Sequence, residues 1–163
     1  MSALQYALII AALASIAFFS FGSIQTHKYI PAGPILTPAE KHFFRSLSRA
    51  VRSDHLVFGK VRVSDLVKVK TKDRKSHMIE HARISQKHID FVVVNKEDFE
   101  IVCAIELNDK SHKENIRRKR DLFLSKVFSE AEIPLVWIEV KQHYASADLV
   151  NELYPQQETH KGA

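Results

Sequence analysis

Polar and apolar positions divide the chain into two unlike parts. From Met1 to Thr26 no side chain is charged, and the run ALQYALIIAALASIAFFSFGSI is apolar enough to predict a transmembrane helix over 3–25. A cleaved secretory signal is the competing reading, but such a signal usually opens on a positive stretch and has a shorter apolar part. Residues 26–35, with Pro31, Gly33 and Pro34, read as a short, stiff linker. Over 36–154 the pattern becomes one of short apolar runs and amphipathic stretches, enough for one domain. Residues 155–163 read as a disordered polar tail.

Within 36–154, Thr37-Pro38-Ala39-Glu40 has the spacing of a helix start, with Thr as cap and Glu three residues on. Ala39, Phe43, Leu47 and Ala50 continue it as an apolar stripe. Leu56 to Val63 is a strand whose alternation is interrupted at Phe58-Gly59. The segment from Lys68 to Arg83 is polar and basic with almost no apolar period, so it reads as an exposed loop or short helix. Ile89–Val94 and Ile101–Leu107 are β-branched runs separated by polar residues, a hairpin. A helix follows from His112 or Lys113 to about Ala131, then a buried strand from Ile133 to Val140 and a short helix carrying Leu149, Val150 and Leu153. The order of helix, three strands, helix, strand, helix predicts an α/β (α+β) mixed sheet with flanking helices.

Charge adds an orientation and a class of partner. The net charge of +5 and the nine histidines all belong to the part after the apolar run. Lys28, Lys41, Arg45, Arg49 and Arg52 predict a single-pass inner-membrane protein with its C-terminal domain cytoplasmic. The basic balance admits nucleic acid or anionic lipid as partner. Lys68, Lys70, Lys72, Arg74 and Lys75 are the candidate contacts to a DNA or RNA backbone, and solvent exposure explains the same run equally well. The single cysteine, Cys103, reads as a core residue. No GxxxxGK, GxGxxG, CxxC or HExxH run occurs, so P-loop, dinucleotide, zinc-ribbon and zincin sites have no foundation.

The candidate chemistry lies in the hairpin. If the two strands pair about Asp98, Asp90 falls opposite Glu106, and two carboxylates meet at one end of an apolar pair. Such a pair raises local affinity for a proton or for a hard divalent cation, while strand-end carboxylates facing water or basic partners remain an alternative. His88 shares a strand face with Asp90 and, with His112, offers a lower-ranked transition-metal reading. Of the basic residues in the following helix, Arg120 falls on the turn of the apolar stripe and is the one placed to reach inward to a carboxylate.

HIDFVVVN followed by IELNDKSH, then Arg120-Asp121 and IPLVWIEV, resembles an uncharacterised bacterial domain family of the PD-(D/E)xK restriction-endonuclease-like superfamily, related to very-short-patch-repair endonucleases. The resemblance covers roughly Leu36 to Leu153 and implies a restriction-endonuclease-like sheet. It also implies that Asp90, Glu106 and the Leu107 carbonyl hold Mg (or Mn). Asn108 stands where the superfamily places its lysine, with Lys110 as a catalytic substitute. Glu40, Asp109, His112, Lys113 and Arg120 are further candidates, Glu40 as an additional acidic residue. The function so implied is a membrane-anchored, metal-dependent phosphodiesterase or nuclease acting on nucleic acid. The alternative is an inactive relative of that fold, binding nucleic acid or protein at the cytoplasmic membrane face.

Overall fold

The computed structural model describes the backbone of residues 2–20, 28–108 and 114–155, with side chains at 2–13, 28–108 and 118–155. The chain divides into two compact units, Met1–Gly33 and Pro34–Ala163. The first carries helix α1 (Ala3–Ser20), opened by a hydrogen bond from the Ser2 amide to Gln5 Oε1 at 2.8 Å. Among the described residues no helix is long and apolar enough to cross a membrane. The span expected over 3–25 is therefore corrected, and with it the single-pass inner-membrane placement, its cytoplasmic orientation and the membrane as partner. Residues 21–25 of that expected span, and 156–163 of the expected tail, lie outside the described residues.

The second unit is organised around a four-stranded sheet in the order β1 (His55–Arg62), β2 (His88–Asn95), β3 (Ile101–Asn108), β4 (Leu135–Glu139). The first three strands are successively antiparallel, and β4 joins β3 in parallel through the crossover helix α5 (Glu114–Glu130). On one face α2 (Pro38–Ala50) and α6 (Ser146–Leu153) bring Phe43, Leu47, Leu149 and Leu153 onto Phe91, Val93, Cys103 and Ile105. On the other, α3 (Val63–Leu66), α4 (Arg74–Ser85) and α5 bring Val63, Ile84, Leu124 and Phe128 onto Val92, Val94 and Ala104. Strands covered on both faces read as unbroken apolar runs, which is why β2 contains VVV rather than alternating polar residues. The same cover keeps Glu106 on β3 almost wholly from water.

A mixed α/β sheet with flanking helices is thus what forms. The finer expectation, a restriction-endonuclease-like architecture behind a membrane helix, is corrected: the sheet is open, running from edge strand β1 to edge strand β4 without closing. The basic segment folds as the 12-residue helix α4, capped by Asp73, whose carboxylate accepts from the amides of Ser76 at 2.7 Å and Lys75 at 3.4 Å. Only Ile84 of α4 is buried, so the helix leaves no apolar stripe in the sequence. A register shift between Val93 and Val94 also moves Val102 off the face of Ala104, where strict alternation puts it.

Phe91, fully buried, packs against Phe43 at 5.5 Å and Phe44 at 5.9 Å between ring centroids. Phe91→Ala is expected to destabilise the domain by about 3–5 kcal/mol, measured by equilibrium urea denaturation. A loss under about 1 kcal/mol would contradict a core built on this strand.

Candidate functional site

The hairpin register sets the site. Phe91 pairs with Ile105, so the next step outward places Asp90 opposite Glu106, and the Asp90 carboxylate accepts the Leu107 amide through Oδ2 at 3.0 Å. The resemblance assigned the Leu107 carbonyl to a metal; in the structure it is the Leu107 amide that meets Asp90. On the neighbouring strand Gly59 pairs with Phe91 and Val61 with Ile89, which sets Lys60 beside Asp90. Lys60 Nζ donates to Asp90 Oδ1 at 2.9 Å and to Glu40 Oε1 at 2.6 Å. Glu40 is delivered by the first turn of α2, where its Oε2 accepts the Thr37 amide at 2.8 Å and Thr37 Oγ1 accepts the Glu40 amide at 3.3 Å. From α5, Arg120 donates to Glu106 Oε2 at 2.8 Å.

Five charged groups from five elements thus meet at one end of the sheet, and they differ in their access to water. Glu106 is 1 % exposed, and its Oε1 has no hydrogen-bond partner. Burial, then the Asp90 charge, raise its pKa to about 7 against the opposing pull of Arg120 and Lys60. Glu40 is partly desolvated, yet the bonds from Lys60 and Thr37 outweigh that and hold its carboxyl below the ordinary value. Lys60 likewise loses hydration but is pushed upward by its two carboxylate partners.

Lys60 was invisible to the sequence reading. Its φ of 58° places it in the left-handed region that few residues with a side chain adopt, next to Gly59. The interruption at Phe58-Gly59 was the available signal, though it names no partner. Asn108 itself ends β3 opposite Glu139, its carbonyl accepting the Val140 amide at 3.1 Å.

Above the cluster lies a cleft of about 620 Å³ lined by Lys60, Arg83, Lys87, His88, Lys119 and Arg120, with Asp90 its one acidic side chain among the described residues. Phe123 forms a wall, with the Arg83 guanidinium 4.4 Å and Lys87 Nζ 5.0 Å from its ring centroid. Lys68 and Lys70 line a second cleft that shares Arg83 and Phe123. Lys72 lies between β1 and α4, while Arg74 and Lys75 begin α4 beside exposed Met78 and Ile79. None of these five basic residues lines the cleft over the carboxylates. Asp109, Lys110, His112 and Lys113 lie outside the described residues.

The donor set does not fit Mg or Mn alongside Lys60. Both oxygens of Asp90 and both of Glu40 are engaged by protein donors, and Lys60 Nζ occupies the space between them. Among the described residues no group of three or more His, Cys, Asp or Glu could hold a metal ion. The expected metal-dependent nuclease and its inactive membrane-face alternative are corrected on this ground, and because no helix among the described residues is long and apolar enough to cross a membrane.

A raised carboxyl pKa ties stability to pH. The contribution of Glu106 is complete below its ordinary value of 4.5 and is lost as pH rises through about 7. Glu106→Gln is therefore expected to flatten the fall in stability between pH 5 and 8, gaining about 3 kcal/mol relative to wild type across that window by urea denaturation. Parallel pH profiles would contradict a dry Glu106.

A family model described as "Protein of unknown function (DUF2726)" matches residues 32–156. Nothing matches among the curated proteins or among solved structures. The resemblance to the PD-(D/E)xK superfamily is corrected accordingly: position 108 lacks the motif's lysine, and the matching model carries no such assignment. By a match that covers the whole β-sheet domain, the chain belongs to the DUF2726 family.

Proposed function

We propose that the cleft over Asp90 binds a small phosphate-bearing ligand. The observation that carries this reading is the lining: six basic or imidazole side chains converge on a space of about 620 Å³ that holds one carboxylate. Arg83 and Arg120 present planar forks suited to bidentate phosphate contact, while Lys60, Lys87 and Lys119 act as point charges. Glu106 fixes one edge of Arg120 from below, so part of the ordering cost of that side chain is met before a ligand arrives.

Asp90 gives the site its selectivity. An ionised carboxylate only accepts hydrogen bonds, so the favoured ligand turns a hydroxyl, or a protonated phosphate oxygen, toward Asp90 and its bare oxygens toward the rim. The Lys60–Asp90 pair is also placed to pass a proton to or from that group.

The test is calorimetric titration of the full-length protein with inorganic pyrophosphate at low and high salt. Saturable binding that weakens with salt is expected. Lys87→Ala and Lys119→Ala should each weaken it by about threefold, and Asp90→Asn should strengthen it by removing repulsion. No binding at about 10 mM pyrophosphate, or binding indifferent to all three substitutions, would overturn the proposal.

A further inference from the structure

We infer that the ligand of the phosphate cleft is a phosphomonoester of a compact apolar alcohol, its organic group seated in the second cleft, beyond Arg83 and Phe123. The inference rests on the phosphate-binding proposal and names the part of the ligand that the proposal leaves open.

The two clefts adjoin, and they differ in kind. The one over Asp90 has about 620 Å³ and the second about 520 Å³, with Arg83 and Phe123 lining both. Where the first is walled by cations, the second has an aliphatic wall of Val67, Val69, Ile84 and Val127 beside the Phe123 ring. Val67 and Ile84 belong to the core beneath α4 and α5, and Val69, Phe123 and Val127 pack against it half-buried. Apolar surface of the core is therefore left open to water there, and a ligand group that covers it gains from the burial. A bare anion in the first cleft makes no use of it.

Arg83 separates the clefts and is held in place before any ligand arrives. Glu80, which lines only the second cleft, accepts from Arg83 Nη1 through Oε1 at 2.8 Å and through Oε2 at 3.0 Å. The guanidinium also lies over Phe123, 4.4 Å from the ring centroid. Both bonds to Glu80 use Nη1, which leaves Nε and Nη2 to donate to a phosphate. Phe123, bordering both spaces, gives an organic group esterified to that phosphate an apolar path from one to the other.

Charge sets which end of the ligand goes where. Among the described residues, five Lys or Arg side chains line the first cleft with one carboxylate, while four line the second with two, Glu80 and Glu130. Glu130 lies 3.8 Å from Lys126, and Glu80 is bonded to Arg83, so part of the positive charge of the second cleft is already balanced. The phosphate is drawn to the first cleft and the apolar group to the aliphatic wall of the second.

The experiment titrates the full-length protein calorimetrically with methyl phosphate, phenyl phosphate and pyrophosphate, for wild type, Ala131→Trp and Val127→Thr. Ala131 is exposed and lines only the second cleft, so an indole there fills the space without entering the core. Wild type is expected to bind phenyl phosphate at least about tenfold more tightly than methyl phosphate. Ala131→Trp should abolish that advantage while leaving pyrophosphate affinity unchanged, and Val127→Thr, which keeps the side chain's shape, should reduce it by about threefold. If Ala131→Trp fails to fold, Val127→Thr decides. Phenyl phosphate bound no more tightly than methyl phosphate, or an advantage that the folded variants leave untouched, overturns the inference; pyrophosphate binding in that case leaves the phosphate proposal standing. Binding of none of the three phosphates overturns both.

Discussion

Three carboxylates and two cations share one end of a sheet whose central strands are covered on both faces, and the ammonium of Lys60 is the tie among them. It joins α2 to β2 through Glu40 and Asp90. Without it, two negative groups would face one another close to a third that has already lost its water. The covering cores make this compulsory. Leu124 and Phe128 on one side, Phe43 and Leu47 on the other, bury the strands that carry the carboxylates and leave Glu106 1 % exposed. Packing and electrostatics are therefore one problem here: the apolar faces fix the hairpin, and the hairpin fixes the carboxylates that the cations must then satisfy.

This arrangement accounts for the division of labour within the cleft. Lys60 and Arg120 belong both to the internal network and to the lining, whereas Arg83, Lys87, His88 and Lys119 belong to the lining without a bond to its carboxylates. A ligand arriving in the cleft meets a rim in which Glu80 holds Arg83 at 2.8 Å, and a floor whose cations are committed to Glu40, Asp90 and Glu106. Burial raises the pKa of the Glu106 carboxyl, directly behind Arg120, to about 7, so the charge of the floor changes near neutral pH.

Much of this was legible in the sequence, and the parts that were not share a cause. Symmetric spacing about Asp98 was enough to oppose Asp90 and Glu106, because strand pairing in a tight hairpin leaves little freedom of register. The apolar stripe around Arg120 was enough to turn it inward. Lys60 escaped because its role depends on a left-handed backbone and on pairing with a strand nearly 30 residues later, neither of which has a local pattern. Helix α4 could not be told from a loop because it buries one residue. The apolar run at the N-terminus misled in the opposite sense: its composition predicts a span, and no helix among the described residues is long and apolar enough to cross a membrane. The motif letters around Glu106 misled similarly: Asn108 stands at the expected lysine, and the family model that matches is one of unknown function.

The most direct measurement is a double-mutant cycle on Lys60→Met and Glu40→Gln, with stability read by urea denaturation near pH 7 in metal-free buffer. A cluster held together by the shared ammonium predicts a coupling energy of about 1–2 kcal/mol between these residues, which approach each other from different elements at 2.6 Å. Strictly additive losses, with coupling below about 0.3 kcal/mol, would contradict it and reduce the Lys60 contacts to a surface ion pair.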